Sequence, residues 1–182
     1  MKNKIKQLSI LFLAFGSLLI FTAFKADSQL DITEPGVYFK LNGTQKEFKQ
    51  FPLAAINKSR DHFSLTIGAS VLDAKGKDID GVGLNLIAIQ NDFSAGKTYA
   101  IETQGVPGKN TLEIHSDIPN EDGHFWISSP GIAGQEQLSV TITELTDQYV
   151  KGTFSGNVFM FPEGTTKATI TEGKFYVKFN QQ

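Results

Sequence analysis

The stretch SVTITELTDQYVKGTFSGNVFMFPEGTTKATITEGKFYVKF, residues 139–179, decides the fold. Apolar residues alternate with polar ones at 138–142 and again at 150–160, which is the period of a half-buried strand. Turn-forming residues separate these runs at 146–148 (Thr-Asp-Gln) and at 162–164 (Pro-Glu-Gly). The stretch therefore predicts a three-stranded antiparallel meander.

The last strand of this meander contains an irregularity. Its apolar residues change from even to odd numbers along the strand: Ala168, Ile170, Phe175, Val177 and Phe179. One extra residue is needed to keep them all on one face, and Glu172-Gly173 is the natural place for a β-bulge with glycine in the left-handed region. We therefore expect a bulge at this pair and a buried Phe175.

Alternation of period two also covers most of the chain before the meander. It occurs at 37–42 and 62–69, and Asn42-Gly43 is a pair that tolerates the positive φ angles of a tight hairpin turn. The run 82–89 is more uniformly apolar, which predicts a strand covered on both faces. Shorter strands are expected at 97–103, 110–116 and 123–129.

Strands at this spacing, with turn signals between them, are typical of a sandwich or a barrel. We predict an all-β fold, an antiparallel β-sandwich of about ten strands, because the strand lengths are uneven. A closed or partly open β-barrel is the alternative. No internal repeat or linker divides the chain, so residues 29–182 are expected to form a single domain.

The N-terminal residues predict export. Lys2, Lys4 and Lys6 precede an apolar run at 8–24, and Ala26-Asp27-Ser28 offers a small-x-small cleavage site. We interpret residues 1–28 as a signal-peptide helix, which makes the protein secreted or periplasmic. The alternative is an uncleaved signal anchor in the cell envelope, since the apolar run approaches the length of a membrane span.

Composition limits the possible partners. The chain has no cysteine, which excludes disulfides, thiolate metal sites and the lipid attachment of bacterial lipoproteins. Its 17 basic and 19 acidic residues form no basic stripe, so no nucleic acid partner is expected. Contact with a membrane is expected only through the signal segment, if that segment stays uncleaved. No cofactor motif is present.

The richest polar cluster predicts a metal site or a surface turn. His115, His124 and Asp117 could meet a divalent ion such as zinc, although their spacing matches no known ligand pattern. The loop at 73–81 resembles a calcium loop but departs from the EF-hand pattern and contains two lysines. No nucleophile elbow or phosphate-binding glycine loop occurs, so the sequence favours a protein that is not an enzyme.

Aromatic residues on the solvent-facing sides of predicted strands suggest a binding surface. Trp126, Tyr176 and Tyr38 fall opposite the predicted core residues of their strands, as do Phe159 and Phe161. Such rings could stack on a glycan or contact the apolar surface of a protein. The alternative is that both faces of the sheets are covered and these rings belong to the core.

Four segments carry a resemblance to a known family: LNGT at 41–44, FSAGKTY at 93–99, VKGTFSGNVF at 150–159 and TITEGKFYVKF at 169–179. In this order they resemble a family of unknown function, whose members are small secreted proteins and lipoproteins of Gram-negative bacteria. The resemblance implies an exported β-sandwich and brings no catalytic residues. The chain departs from many relatives because it lacks the lipoprotein cysteine.

These observations predict an exported, non-enzymatic binding or structural module of the cell envelope. Its ligand would be an unknown protein or glycan. The alternative function is a hydrolase or metal-dependent protein that uses the region of His115 and His124.

Overall fold

A computed structural model describes residues 32–58, 62–76, 78–89, 93–100, 111–115, 124–129 and 138–180, with the backbone alone at 78–79, 89 and 111–115. These residues form strands and connecting turns without a helix. The strands are β1 Gly36–Leu41, β2 Thr44–Phe48, β3 Gln50–Lys58, β4 His62–Leu72, β5 Asp78–Ile89, β6 Thr98–Ala100, β7 Thr111–His115, β8 Phe125–Ser128, β9 Ser139–Leu145, β10 Tyr149–Phe161 and β11 Lys167–Lys178. No helix in this part of the chain has the length and apolarity to cross a bilayer.

The strands pair in the order β2-β1-β11-β10-β8-β7-β5-β4-β3, and β9 joins β10 to β6. All strand pairs are antiparallel. The end strands β2 and β3, both fully described, do not pair with each other, so the sheet is not closed into a barrel. The predicted all-β sandwich is confirmed. We call β6, β9, β10, β11, β1 and β2 layer 1, and β8, β7, β5, β4 and β3 layer 2.

The two layers bury one apolar core between them. Its largest fully buried members are phenylalanines of layer 1. The Phe39 ring stacks on Phe48 at a centroid distance of 5.6 Å and contacts Phe154 at 5.7 Å, and Phe154 in turn contacts Phe175 at 6.4 Å. Burial of each such ring contributes about 1.5–3 kcal/mol, so this cluster anchors the meander to β1 and β2.

The predicted meander and its bulge are confirmed, with one correction. β10 pairs with β9 and β11, and the register with β11 shifts between Phe154 and Gly156, opposite the expected pair. Glu172 has the positive φ, 54°, whereas we expected it at Gly173. Gly173 is needed for space, since a Cβ there would come closer than 3.0 Å to the Phe154 carbonyl oxygen and ring.

The predicted hairpin at Asn42-Gly43 is also confirmed. The two residues have φ angles of 49° and 83°, as a tight turn with two left-handed residues requires, and they join β1 to β2. Asn42 also ties the turn to β11. Its N–H donates to the Thr169 carbonyl at 2.9 Å, and its side-chain oxygen accepts from the Thr169 N–H at 2.9 Å.

The structure departs from the prediction at β3 and β5. β3 was not predicted, and Pro52 lies within it beside a register shift, at the edge of the sheet where a missing N–H is tolerated. Phe51 has a φ of 48°, and the side-chain oxygen of Gln50 accepts from the Leu72 N–H at 2.5 Å. In β5 the even-numbered residues 82–88 are buried and their odd-numbered neighbours are not, so the interpretation of a strand covered on both faces was wrong.

Candidate functional site

The outward side chains of layer 1 align in a row across four strands. Lys151 of β10 pairs with Glu144 of β9 on one side and with Tyr176 of β11 on the other, and Tyr176 pairs with Gly36 of β1. Residues in register on one face of a sheet are close enough for their side chains to interact. The alternation that buries Val150 and Val177 therefore turns this row outward.

Two tyrosines and a lysine form the centre of this row. The rings of Tyr149 and Tyr176 meet edge to face, with centroids 5.4 Å apart and an interplanar angle of 81°. The Lys151 ammonium lies 5.4 Å from the first centroid and 5.2 Å from the second. Glu144 holds the group together, because its carboxylate accepts from the Tyr149 hydroxyl at 2.9 Å and from Lys151 at 3.3 Å.

Tyr38 extends the row onto β1. Its ring folds back over Gly36, so that a Cβ on this glycine would lie 3.1 Å from the ring. Its hydroxyl donates to the Glu34 carbonyl at 3.1 Å, and the Lys49 ammonium lies 5.6 Å from its ring centroid. We call Tyr38, Tyr149 and Tyr176, with Lys49, Lys151 and Glu144, the tyrosine band.

Hydrogen bonds and burial shift the pKa values in the tyrosine band. The Tyr149 hydroxyl and then Lys151 lower the pKa of Glu144, and the same hydrogen bond raises the pKa of Tyr149. Burial raises the pKa of Tyr38, and a hydrogen bond to Glu47 raises that of Lys49. At neutral pH Glu144 and Lys49 are therefore charged, and the phenols of Tyr38 and Tyr149 are neutral.

The third predicted ligand-binding residue lies apart from the tyrosine band. Trp126 is on β8 in layer 2, only 9% exposed, and belongs to the core cluster. Its indole N–H has no acceptor among the described residues. The structure thus brings Tyr38 and Tyr176 onto one surface without Trp126. Phe159 is buried as well, whereas Phe161 is 43% exposed.

The predicted metal ligands are described only in part. His124 contacts Glu163, with 3.1 Å between the imidazole Nε2 and a carboxylate oxygen. A backbone hydrogen bond and then His124 lower the pKa of Glu163. His115 ends β7, where the backbone alone is described, and Asp117 lies outside the described residues. No group of three possible metal ligands occurs in the part of the chain that the structure describes.

Comparison with known proteins gives no match to a family model, to a curated protein or to a solved structure. The resemblance to the family of small secreted proteins therefore stays a prediction. Sequence reasoning missed Tyr149 and Lys151 as members of the surface. Their outward placement could have been predicted, because both take odd positions beside the even-numbered core residues of β10.

Proposed function

We propose that this protein is an exported, non-enzymatic binding module and that its ligand contacts the tyrosine band. The observation that carries the proposal is that three partly exposed tyrosines lie on one outward face: Tyr149 and Tyr176 are in ring contact, and the Tyr38 ring covers Gly36, which pairs with Tyr176. Hydrogen bonds to Glu144 and to the Glu34 carbonyl hold two of the hydroxyls in place. A surface whose side chains are already ordered loses less entropy on binding.

The chemistry of the band favours a neutral glycan as the ligand. The band carries its own countercharges, because Lys151 pairs with Glu144 and Lys49 pairs with Glu47 at 2.8 Å. An ionic ligand would have to compete with these pairs. Tyrosine rings offer an apolar face beside a polar hydroxyl, which suits the C–H faces and hydroxyl groups of a sugar. The flexible stem of Lys151 can move aside and let its ammonium donate to the ligand.

Export is supported by the leader at 1–28 and by the resemblance to secreted proteins of Gram-negative bacteria. The protein would work in the periplasm, at the cell surface or in the medium.

The proposal is tested by titrating the purified protein with maltohexaose and chitohexaose as neutral probes and a hyaluronan hexasaccharide as an acidic probe. We expect chemical-shift changes at the tyrosine band with a neutral probe and a weaker response to the acidic one. Tyr176→Ala should lower the affinity about tenfold, because it removes one stacking ring and the edge-to-face contact that supports Tyr149. Thr66→Ala, on the outward face of layer 2, is the matched control. Shift changes outside the band, or no response to any probe, would contradict the proposal.

A further inference from the structure

The turn between β1 and β2 contains a chemically labile pair, Asn42-Gly43, and asparagine followed by glycine occurs once in the chain. Asparagine is thermolabile because the backbone nitrogen of the next residue can attack its side-chain amide. Glycine in the next position has no Cβ to obstruct that attack. Both residues are exposed, and no atom of the described residues lies within 4 Å of the place where a Cβ of Gly43 would be. The surroundings of the pair therefore do not block the reaction sterically.

The conformation of the turn opposes the same reaction. Ring closure requires the Gly43 nitrogen and the side-chain carbonyl carbon of Asn42, Cγ, to lie on the same side of the Asn42 Cα–C bond. Asn42 has a φ of 49°, in the left-handed region, where ψ is about +30 to +47°. With ψ in this range the Gly43 nitrogen points away from the Asn42 Cβ. The two atoms therefore cannot meet until the turn opens.

Contacts at both ends of β2 hold the turn closed. The Asn42 N–H donates to the Thr169 carbonyl at 2.9 Å, and the Asn42 side-chain oxygen accepts from the Thr169 N–H at 2.9 Å. At the other end, Phe48 is 1% exposed and stacks on Phe39. β2 is nevertheless an end strand of the sheet, paired to β1. Such a strand can detach locally while the rest of the sheet stays folded.

We propose that Asn42 is a latent deamidation site, which the hairpin of β1 and β2 keeps unreactive until β2 detaches. In the open hairpin the Gly43 nitrogen bonds to the Asn42 Cγ, its proton passes to water or hydroxide, and the side-chain nitrogen leaves as ammonia. The resulting succinimide takes up one water molecule and opens at either carbonyl. The products are aspartate and isoaspartate at position 42, and the reaction requires no oxidant or reductant.

Isoaspartate prevents the hairpin from closing again. It routes the main chain through Cβ and so adds one atom to a two-residue loop, and the length of the loop sets the register of a hairpin. β2 then cannot return Phe48 to its place on Phe39. Lys49, which follows β2, loses its position over the Tyr38 ring. The modification therefore removes part of the tyrosine band irreversibly.

The test compares the reaction in the folded and the urea-unfolded protein at mildly alkaline pH. Trypsin cleavage after Lys40 and Lys46 isolates residues 41–46, and chromatography with mass spectrometry separates the amide, aspartate and isoaspartate forms of this peptide. We expect conversion in the folded protein to be at least about tenfold slower. The slowdown should agree, within about an order of magnitude, with the hydrogen-exchange protection of the Asn42 N–H, because both reactions need the same opening. A folded protein that converts as fast as the unfolded one, or a clear disagreement between the two factors, would overturn the proposal.

A pair of core substitutions separates local from global opening. Phe48→Ala removes the ring that anchors β2 and should speed conversion at least about tenfold. Leu86→Ala is the matched control, since Leu86 is fully buried in β5 of layer 2, and it should speed conversion much less. Circular dichroism checks that both variants are folded, and the exchange comparison needs no substitution if Phe48→Ala fails to fold. Equal acceleration by the two variants would refute the inference, because Asn42 would then react only from the globally unfolded chain.

Discussion

The outward faces of the two layers are built on opposite principles. The face of layer 1 is a network, in which the tyrosine band links rings, lysines and a carboxylate through hydrogen bonds and cation–ring contacts. The outward face of β3, β4 and β5 in layer 2 has small residues and an open space beside Gly83, and Phe51 of β3 is exposed. The side chains on the outward face of layer 1 therefore hold one another in place, whereas the small residues of layer 2 leave open space beside the sheet.

Glycine substitutions should give the largest difference between the two layers in the free energy of unfolding. Gly173→Ala in layer 1 should lower the free energy of unfolding by about 3 kcal/mol, because its Cβ would clash with the Phe154 carbonyl and ring. Gly83→Ala in layer 2 should change it by no more than about 0.5 kcal/mol, since the space there is open. Urea unfolding measures both. Equal losses would mean that the layers do not differ in packing as described.

Removing a ring from the tyrosine band should have the next largest effect. Tyr176→Ala should cost about 1–2 kcal/mol, since it removes the edge contact with Tyr149 and one support of Lys151. Thr66→Ala, on the outward face of β4 in layer 2, should cost less than about 0.5 kcal/mol. Thermal unfolding of both variants measures the contrast. A Tyr176 variant as stable as the Thr66 variant would show that the network adds nothing to stability.

A substitution at Phe51 should have the opposite sign. Phe51→Asn should raise the stability of the monomer by about 0.5–1 kcal/mol, because asparagine accepts a positive φ more readily than phenylalanine. Little apolar contact is lost, as the ring is 73% exposed. Chemical unfolding measures the change. A clear loss of stability would mean that Phe51 packs within its own chain.

The smallest expected effect is a pH dependence that arises at Glu144 of layer 1. The lowered pKa of Glu144 means that its ionised form stabilises the fold above the ordinary glutamate pKa of about 4.3, and this contribution is lost as the pH falls through the lowered value. Tyr149→Phe removes the first cause of the shift and should raise the Glu144 pKa in an NMR titration. Lys151 remains in place, so the rise should be partial. A pKa that Tyr149→Phe leaves unchanged would contradict this account.

Much of the fold could be predicted because its signals are local. Alternation identifies β4, β9, β10 and β11, and the pair Asn42-Gly43 identifies the first hairpin. The parity change located the bulge, but parity alone does not say which residue takes the positive φ. β3 could not be predicted, since its sequence QFPLAAINK lacks alternation and contains a proline. Its place depends on pairing with β4, which is a tertiary contact.

The candidate site could be predicted only in part for a related reason. Tyr38 and Tyr176 were found because their strands alternate clearly. We predicted Trp126 on the solvent-facing side of its strand, and this was wrong. The strand has four residues and three of them are apolar, so alternation does not determine which side is buried. That Tyr38 lies over Gly36 beside Tyr176 depends on the pairing of β1 with the last strand of the chain. Residues this far apart in the sequence cannot be recognised as neighbours from the sequence alone.

β10 connects the two layers of the sandwich. One edge of this strand pairs with β9 as far as Ser155 and with β8 from Phe159 onward, so the same backbone continues from layer 1 into layer 2. Opening β10 therefore breaks hydrogen bonds to strands of both layers. We therefore expect the slowest amide protons of both layers to exchange with solvent through one shared global opening.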